Sequence, residues 1–182
     1  MKKLLLTLLL SSSLFAYNLK IAVIEGQQIL KQTKEGMKIE SEIRKKREDL
    51  AEEIRALDQK LEKEANDMRA KQRTASDDVL AQKQESFMKA QRARENRAQE
   101  AEAEFKNDAN RKLAKFDKEL RKQIIEWAEK NQFDMVSLKE SGEIIYASQN
   151  VNYTSQVMDI LDTKFEKEAK LLAAKEATKK IN

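Results

Sequence analysis

The sequence has 182 residues, 37% of them charged, and contains no cysteine, histidine or proline. Without cysteine and histidine, the chain lacks disulfide bonds, thiol chemistry and the side chain that acts most often as acid-base catalyst or metal ligand. We therefore expect neither an enzyme nor a bound cofactor, and the small formal net charge of +4 gives no reason to expect a nucleic-acid partner.

The N-terminal segment, residues 1–16, is predicted to be a secretory signal peptide. Two lysines precede an apolar, leucine-rich run that is too short to span a bilayer, and Ala16 closes the segment. The mature protein is then expected to begin near Tyr17, outside the cytoplasm. The exact cleavage site stays open because Leu14 is larger than the residue usual at its position, and an uncleaved N-terminal anchor is the alternative.

The mature chain is predicted to start with a strand and a short helix. Residues 19–25 form a β-branched run of strand length. Residues 27–34 then begin a helix with Ile29 and Leu30 on its buried face. Gly36 is expected to interrupt the first turns of this helix at a cost of about 1 kcal/mol.

Residues 36–130 are predicted to form two long helices, each with one narrow apolar stripe. Their bias toward Ala, Glu, Lys, Leu and Arg is typical of long helices and coiled coils. Apolar residues recur mainly three, four or seven positions apart, as on one face of a helix. The stripes contain Ile43, Leu50, Ile54, Leu57, Leu61, Ala65 and Met68, then Phe87, Ala90, Ala93, Ala98, Ala101, Phe105, Leu113, Phe116, Leu120, Ile124 and Trp127.

The chain is expected to turn back on itself at residues 74–78, where short hydrogen-bonding side chains cluster. Ser76 or Asp77 is a candidate cap for the second helix. Folding there places residue i opposite roughly residue 150 minus i, so that Leu50 faces Ala101 and large side chains oppose small ones. We therefore predict an antiparallel coiled-coil hairpin, the arm, of about 60 Å or more.

After the arm, the sequence predicts a β-hairpin and a final helix. Residues 133–138 and 143–147 read as two strands joined by a turn at residues 139–142. Asn152 or Thr154 is expected to cap the helix. Its predicted inner face contains Val157, Ile160, Leu161 and Phe165. The charged tail, residues 166–182, is left open between a frayed helix and disorder.

Residues 17–35 and 131–165 are thus expected to form a small body with three strands. So few residues cannot bury a large core, and part of the sheet should remain exposed. Oligomerisation would cover the sheet and its edges. The residues predicted to mediate it are Ile21, Val23, Ile144 and Ile145.

Basic residues near the end of the arm are candidates for binding a client protein or an anionic surface. They are Arg69, Lys71, Arg73, Lys89, Arg92, Arg94 and Arg97. Ion pairing with neighbouring acids such as Asp67, Asp77, Asp78 and Glu85 is the alternative interpretation. Because Phe87 and Met88 are adjacent, only one can enter the apolar stripe, and an outward Met88 would suit loose contact with apolar clients.

The order of these elements resembles the Skp/OmpH family of periplasmic chaperones. The resemblance covers about residues 19–163: the strand after the signal peptide, the long hairpin, the two apolar runs after it and the closing helix. It implies a jellyfish-like homotrimer in which strands form the body and three hairpins surround a cavity for unfolded outer-membrane proteins. The tail beyond Lys164 departs from the family.

The expected function is accordingly an ATP-independent holdase that keeps unfolded outer-membrane proteins soluble in the periplasm. Two alternatives remain: a structural coiled-coil protein of the envelope, and a protein that binds anionic lipid or lipopolysaccharide through the basic residues of the arm.

Overall fold

The computed structural model describes residues 18–181, with side chains through residue 175. The predicted signal peptide, residues 1–16, therefore lies outside the described residues. The main elements, in chain order, are β1 (Ile21–Ile24), α1 (Gly26–Gln32), α2 (Lys34–Lys71), α3 (Asp77–Lys130), β2 (Met135–Leu138) and α4 (Thr154–Ile181). Single 3₁₀ turns follow β2, at Lys139–Ser141, and precede α4, at Gln149–Val151.

The predicted arm is confirmed as an antiparallel pair of α2 and α3. The first helix ends at Lys71 and the second begins at Asp77, so that the turn, residues 72–76, overlaps the predicted region, residues 74–78. Ser76 has the extended backbone of a capping residue, but its side chain makes no capping hydrogen bond. Asp77 and Asp78 add negative charge at the positive end of the helix dipole. With 54 residues, α3 is about 80 Å long.

The body is built where the arm meets a small parallel sheet. β1 pairs with β2 in a register that places Ile21 beside Met135 and Ile24 beside Leu138. Alternation along β1 directs Ala22 and Ile24 into the core. The buried core residues are Ala22, Ile24, Ile29, Phe116, Leu120, Ile124, Trp127, Val157 and Leu161. The C-terminal end of α3 therefore supplies the surface on which β1, α1 and α4 pack.

Three aromatic rings close the core beside the end of α3. The centroids of Trp127 and Phe133 are 4.6 Å apart, and that of Tyr153 lies 4.8 Å from Phe133. The ammonium of Lys20 lies 4.3 Å from the centroid of Phe133. Trp127 and Phe133 thus hold the junction between arm and body.

The predicted hairpin between residues 133–138 and 143–147 is wrong. Within residues 18–181, β2 pairs with β1 alone, and residues 143–147 form no strand. The carboxylate of Glu140 accepts hydrogen bonds from the backbone N–H groups of Gly26 and Gln27, at 3.0 and 2.8 Å. These bonds satisfy free donors at the start of α1, and they direct the chain away from β2 instead of back along it.

Two predictions of burial are also wrong. Val23 was expected at the exposed face of the sheet, but its side chain is only 5% exposed. Its strand has a second neighbour, since Val23 forms an isolated parallel bridge with Asn152. Ile160 was expected inside and is 36% exposed, because Val157 and Leu161, one turn apart, are the residues of α4 that face the core.

The expected break near Gly36 occurs earlier, at Thr33. This residue is extended, and its hydroxyl accepts a hydrogen bond from the N–H of Gly36 at 3.2 Å. Gly36 itself lies in the first turn of α2, where a Cβ would sit 1.9 Å from the carbonyl oxygen of Leu30. The glycine therefore permits the close contact of α1 and α2 and does not interrupt the helix.

Candidate functional site

Most of the basic residues singled out from the sequence are engaged within the chain. Lys71 pairs with Asp67 at 3.0 Å and Lys89 with Glu85 at 2.6 Å, both one turn away on the same helix. Arg69 donates a hydrogen bond to the side chain of Asn66. These contacts agree with the ion-pair alternative for Asp67 and Glu85.

Arg94 and Arg97 pair with acids on the opposite helix of the arm. Nε and Nη2 of Arg94 lie 2.6 and 3.0 Å from the two carboxylate oxygens of Asp58. The same atoms of Arg97 each lie 2.6 Å from an oxygen of Glu53. The hydrogen bonds from the two guanidinium groups hold the pKa values of both carboxyl groups below their usual range.

Further ion pairs across the arm extend this pattern. Lys46 contacts Glu104 at 2.5 Å, Lys83 contacts Asp67 at 2.5 Å, and Lys112 pairs with Glu42. We call the set from Glu42 and Lys112 to Asp67 and Lys83 the ion-pair ladder. The predicted opposition of residue i with residue 150 minus i holds for three pairs, Lys46 with Glu104, Arg97 with Glu53 and Lys83 with Asp67. The pairs of Arg94 with Asp58 and of Lys112 with Glu42 deviate from it by two and four residues. The partners Glu53, Asp58 and Glu104 could have been found by applying that relation to the charged residues as well as to the apolar ones.

The apolar seam between α2 and α3 is thin in the outer half of the arm, beyond Leu50 and Ala101. Leu50 and Ala101, predicted to face each other, are 7% and 6% exposed. Among the described residues, 51–100 contain no buried side chain. The guanidinium of Arg47 lies 4.7 Å from the centroid of the Phe105 ring, next to this packed point. The distal arm is therefore joined by half-buried apolar side chains together with the ion-pair ladder.

A few of the candidate binding residues remain free. Among residues 18–181, Arg73 in the turn and Arg92 on α3 form no ion pair, and both are exposed. Met88 is 47% exposed while the neighbouring Phe87 is half-buried, in agreement with the expectation that only one enters the seam. Of the candidate binding residues, these three are therefore the ones available to another molecule.

A second candidate surface lies on the body. Ile145 is fully exposed and Tyr146 nearly so, while Ile21 and Ile144 are half-buried. Beside β2, whose outer edge is unpaired within the described part of the chain, runs a groove of about 790 Å³. We call it the β2 groove. Its apolar lining includes Leu113, Phe116, Ile125, Met135, Val136 and Leu138.

The described residues also limit the kinds of site present. In residues 18–181, no group of acidic side chains is arranged to hold a metal ion. No helix in that range is both long enough and apolar enough to cross a membrane.

Comparison with known proteins connects this geometry to one family. The family model described as outer membrane protein (OmpH-like) matches residues 20–161. The fold is similar to the crystal structure of a protein from Caulobacter crescentus CB15 described as an OmpH-like outer membrane chaperone, with a TM-score of 0.74. The two chains are 16% identical, and the similarity covers 81% of this chain and 86% of the other. No curated protein matches the sequence significantly.

Proposed function

Since the chain belongs to the Skp/OmpH family of OmpH-like proteins, we propose that it is a periplasmic holdase, which keeps unfolded outer-membrane proteins soluble without ATP. The observation that carries this proposal is the arm. It is a long, charged hairpin whose apolar residues and many of whose ion-pairing groups are already used to join α2 to α3. Such a surface suits enclosure of a client by many weak contacts better than a specific binding pocket.

Enclosure requires more than one arm, and the body offers the means of assembly. In the proposed trimer, the exposed segment around Ile145 and Tyr146 of one copy lies along the open edge of β2 in the next copy. The β2 groove would receive the apolar side chains, and strand pairing would satisfy the edge. Such a contact joins different surfaces of two copies and closes into a ring when the rotation between copies permits.

The free groups of the arm are proposed to contact the client. Met88 is flexible and polarizable, which suits apolar segments of varied sequence. Arg73 and Arg92 would attract acidic segments over a Debye length of about 8 Å at physiological salt. The ionic contacts of Arg94 and Arg97 make these two residues structural parts of the arm. Residues 1–16 would direct the chain to the periplasm, where such clients occur.

Suppression of aggregation tests the proposal. An outer-membrane β-barrel protein unfolded in urea is diluted into buffer with the mature chain, without nucleotide, and light scattering is followed. We expect scattering to be suppressed when the chain is present at about three copies per client. A structural spacer of the envelope has no surface for unfolded chains, so undiminished scattering would favour that function and contradict the holdase.

The free cation at the turn supports a second candidate function. Arg73 and the neighbouring Arg69 lie at the far end of the arm, where they are accessible to a flat anionic surface. Flotation with vesicles of neutral lipid and of mixed neutral and anionic lipid tests this function. Binding to anionic vesicles that is lost in the double variant Arg69→Ala/Arg73→Ala would support it, and equal recovery with both lipids would exclude it.

A further inference from the structure

Residues 162–166, at the point where α4 passes beyond the region matched by the family model, contact the first turns of α2. Oδ1 of Asp162 accepts a hydrogen bond from the backbone N–H of Lys34 at 2.8 Å. The ammonium of Lys34 pairs with Glu166, and that of Lys38 lies 5.8 Å from the centroid of the Phe165 ring. These contacts secure the end of α2 that follows the break at Thr33.

The same stretch of α4 also contacts α3. Lys164 forms an ion pair with Glu119, and both side chains are about one-third exposed. Glu119 lies next to Leu120, which belongs to the buried core. One and a half turns of α4 therefore reach both helices of the arm where it joins the body. Asp162, Phe165 and Glu166 contact α2, and Lys164 contacts α3.

The two helices differ in how they join the body. α3 runs without interruption into the core, where Phe116, Leu120 and Trp127 are buried. α2 is separated from α1 by the extended residue Thr33, and a break of this kind is a place where a helix can change direction. Without other contacts, α2 would be held at its root by fewer apolar contacts than α3.

We propose that residues 162–166 act as a strap, which fixes α2 against α3 and α4 and so sets the stiffness of the arm where it leaves the body. The carboxylate of Asp162 accepts a hydrogen bond from the backbone N–H of Lys34, which has no partner within the first turn of α2. Lys164 connects the strap to α3, which is anchored in the core. The match to the family model ends at residue 161, so these contacts are made by the segment of α4 beyond it. The strap is a mechanical property of the chain and does not depend on the proposed chaperone function.

The first test removes the contacts of the strap to α2. Amide hydrogen exchange is measured on the full mature chain without client, for the triple variant Asp162→Ala/Phe165→Ala/Glu166→Ala. We expect exchange in residues 34–45 to be faster by about fivefold or more, with residues 53–97 unchanged. The matched control on the same helix is Lys167→Ala/Leu171→Ala/Lys175→Ala, whose wild-type side chains are all exposed. Equal exchange in the triple variant and the wild type, or equal acceleration in the control, would overturn the proposal.

The second test uses charge reversal and does not rely on loss of side-chain volume. Lys164→Glu and Glu119→Lys are each expected to accelerate exchange in residues 34–45 and 112–122. The double variant restores opposite charges at the two positions and is expected to return exchange toward the wild-type rate. A double variant that exchanges as fast as the single variants, with unchanged helical circular dichroism, would show that the pair does not hold the arm.

Discussion

Arg97 and Glu53 form a bidentate ion pair across the arm, with Nε and Nη2 of the arginine each 2.6 Å from a carboxylate oxygen. This arrangement fixes the register of α3 against α2 one turn beyond the buried pair Leu50 and Ala101, where the stretch without buried side chains begins. Arg97, which the sequence predicts as a residue that contacts client proteins, is therefore a structural part of the arm. The ion pairs along the arm should therefore govern how easily its outer half opens.

The distal arm is expected to loosen when its arginines are removed. In Arg94→Ala/Arg97→Ala, amide exchange in residues 51–64 and 88–99 should accelerate, because the pairs with Asp58 and Glu53 are lost while little apolar burial remains. Raising salt to about 1 M should have a similar effect on the wild type, since the Debye length falls to about 3 Å.

Arg92→Ala is the control for this prediction, because Arg92 is exposed and forms no ion pair within residues 18–181. It should leave exchange unchanged and slow only the capture of acidic clients. If removal of Arg92 accelerated exchange as much as removal of Arg94 and Arg97, the ladder would not be what holds the distal helices together.

Assembly of the body should depend on Ile145 and not on an exposed Val23. Ile145→Asp places a charge on a fully exposed residue of the single chain, so it should dissociate the assembly and keep the helical circular dichroism. Val23→Asp buries an unpaired carboxylate and should unfold the body instead. Mass by light scattering and circular dichroism separate the two outcomes. Val79→Asp, at the far end of the arm, is the control, and an Ile145→Asp variant of unchanged mass would refute this interface.

Ionised Glu35 should destabilise the folded state where the arm joins the body, and protonation of its carboxyl group in acid should remove this effect. Burial, followed by repulsion from Glu168 and Glu119, raises the pKa of Glu35 above its ordinary value. A raised pKa in the folded state means that ionised Glu35 opposes folding above that pKa, and that this effect disappears as pH falls through it.

Glu35→Gln is therefore expected to raise the free energy of unfolding at pH 7 by less than about 1 kcal/mol, since the carboxyl group remains partly solvated. At about pH 3, where the carboxyl is protonated in both states, the variant and the wild type should be equally stable. Thermal unfolding at the two pH values measures the difference, with the exposed Glu40→Gln as control. A gain of equal size at both pH values would show that charge is not its cause.

Gly36 should be intolerant of even one added carbon. The Cβ of Gly36→Ala would meet the carbonyl oxygen and Cα of Leu30 at 1.9 and 2.9 Å, so α1 and α2 would have to separate. The expected loss in the free energy of unfolding is about 1–3 kcal/mol, although alanine is the better helix former. Ser41→Ala, at an exposed position of the same helix, should be neutral or slightly stabilising in the same denaturant titration. An equally stable Gly36→Ala variant would contradict the close contact.

The long elements could be predicted from the sequence because their signals are local. The spacing of Leu50, Leu57 and Leu61 determines one helical face, and the cluster around Ser76 marks the turn. Facing positions followed from the turn, and the packing of Leu50 with Ala101 agrees with that relation. The length of α3 is likewise explained by the absence of proline and glycine from residues 77–130.

The body was predicted less well because its arrangement depends on contacts between residues far apart in sequence. The strand-like composition of residues 143–147 predicts a hairpin with β2. The hydrogen bonds from the N–H groups of Gly26 and Gln27 to the carboxylate of Glu140 instead direct the chain after β2 away from that strand. Burial of Val23 likewise depends on a neighbour, Asn152, that lies over a hundred residues away. No local pattern identifies such partners. The ion-pair ladder is intermediate in predictability. Its partners are far apart in sequence, but the opposition of residue i with residue 150 minus i identifies them when it is applied to the charged residues.

Native mass spectrometry of the mature chain, alone and after dilution of an unfolded outer-membrane β-barrel protein into it, tests the central claim most directly. The proposed mechanism predicts a particle of three copies that gains the mass of one client and keeps all three copies. A monomer that binds no client, or that binds it one to one, would contradict a cavity formed between arms.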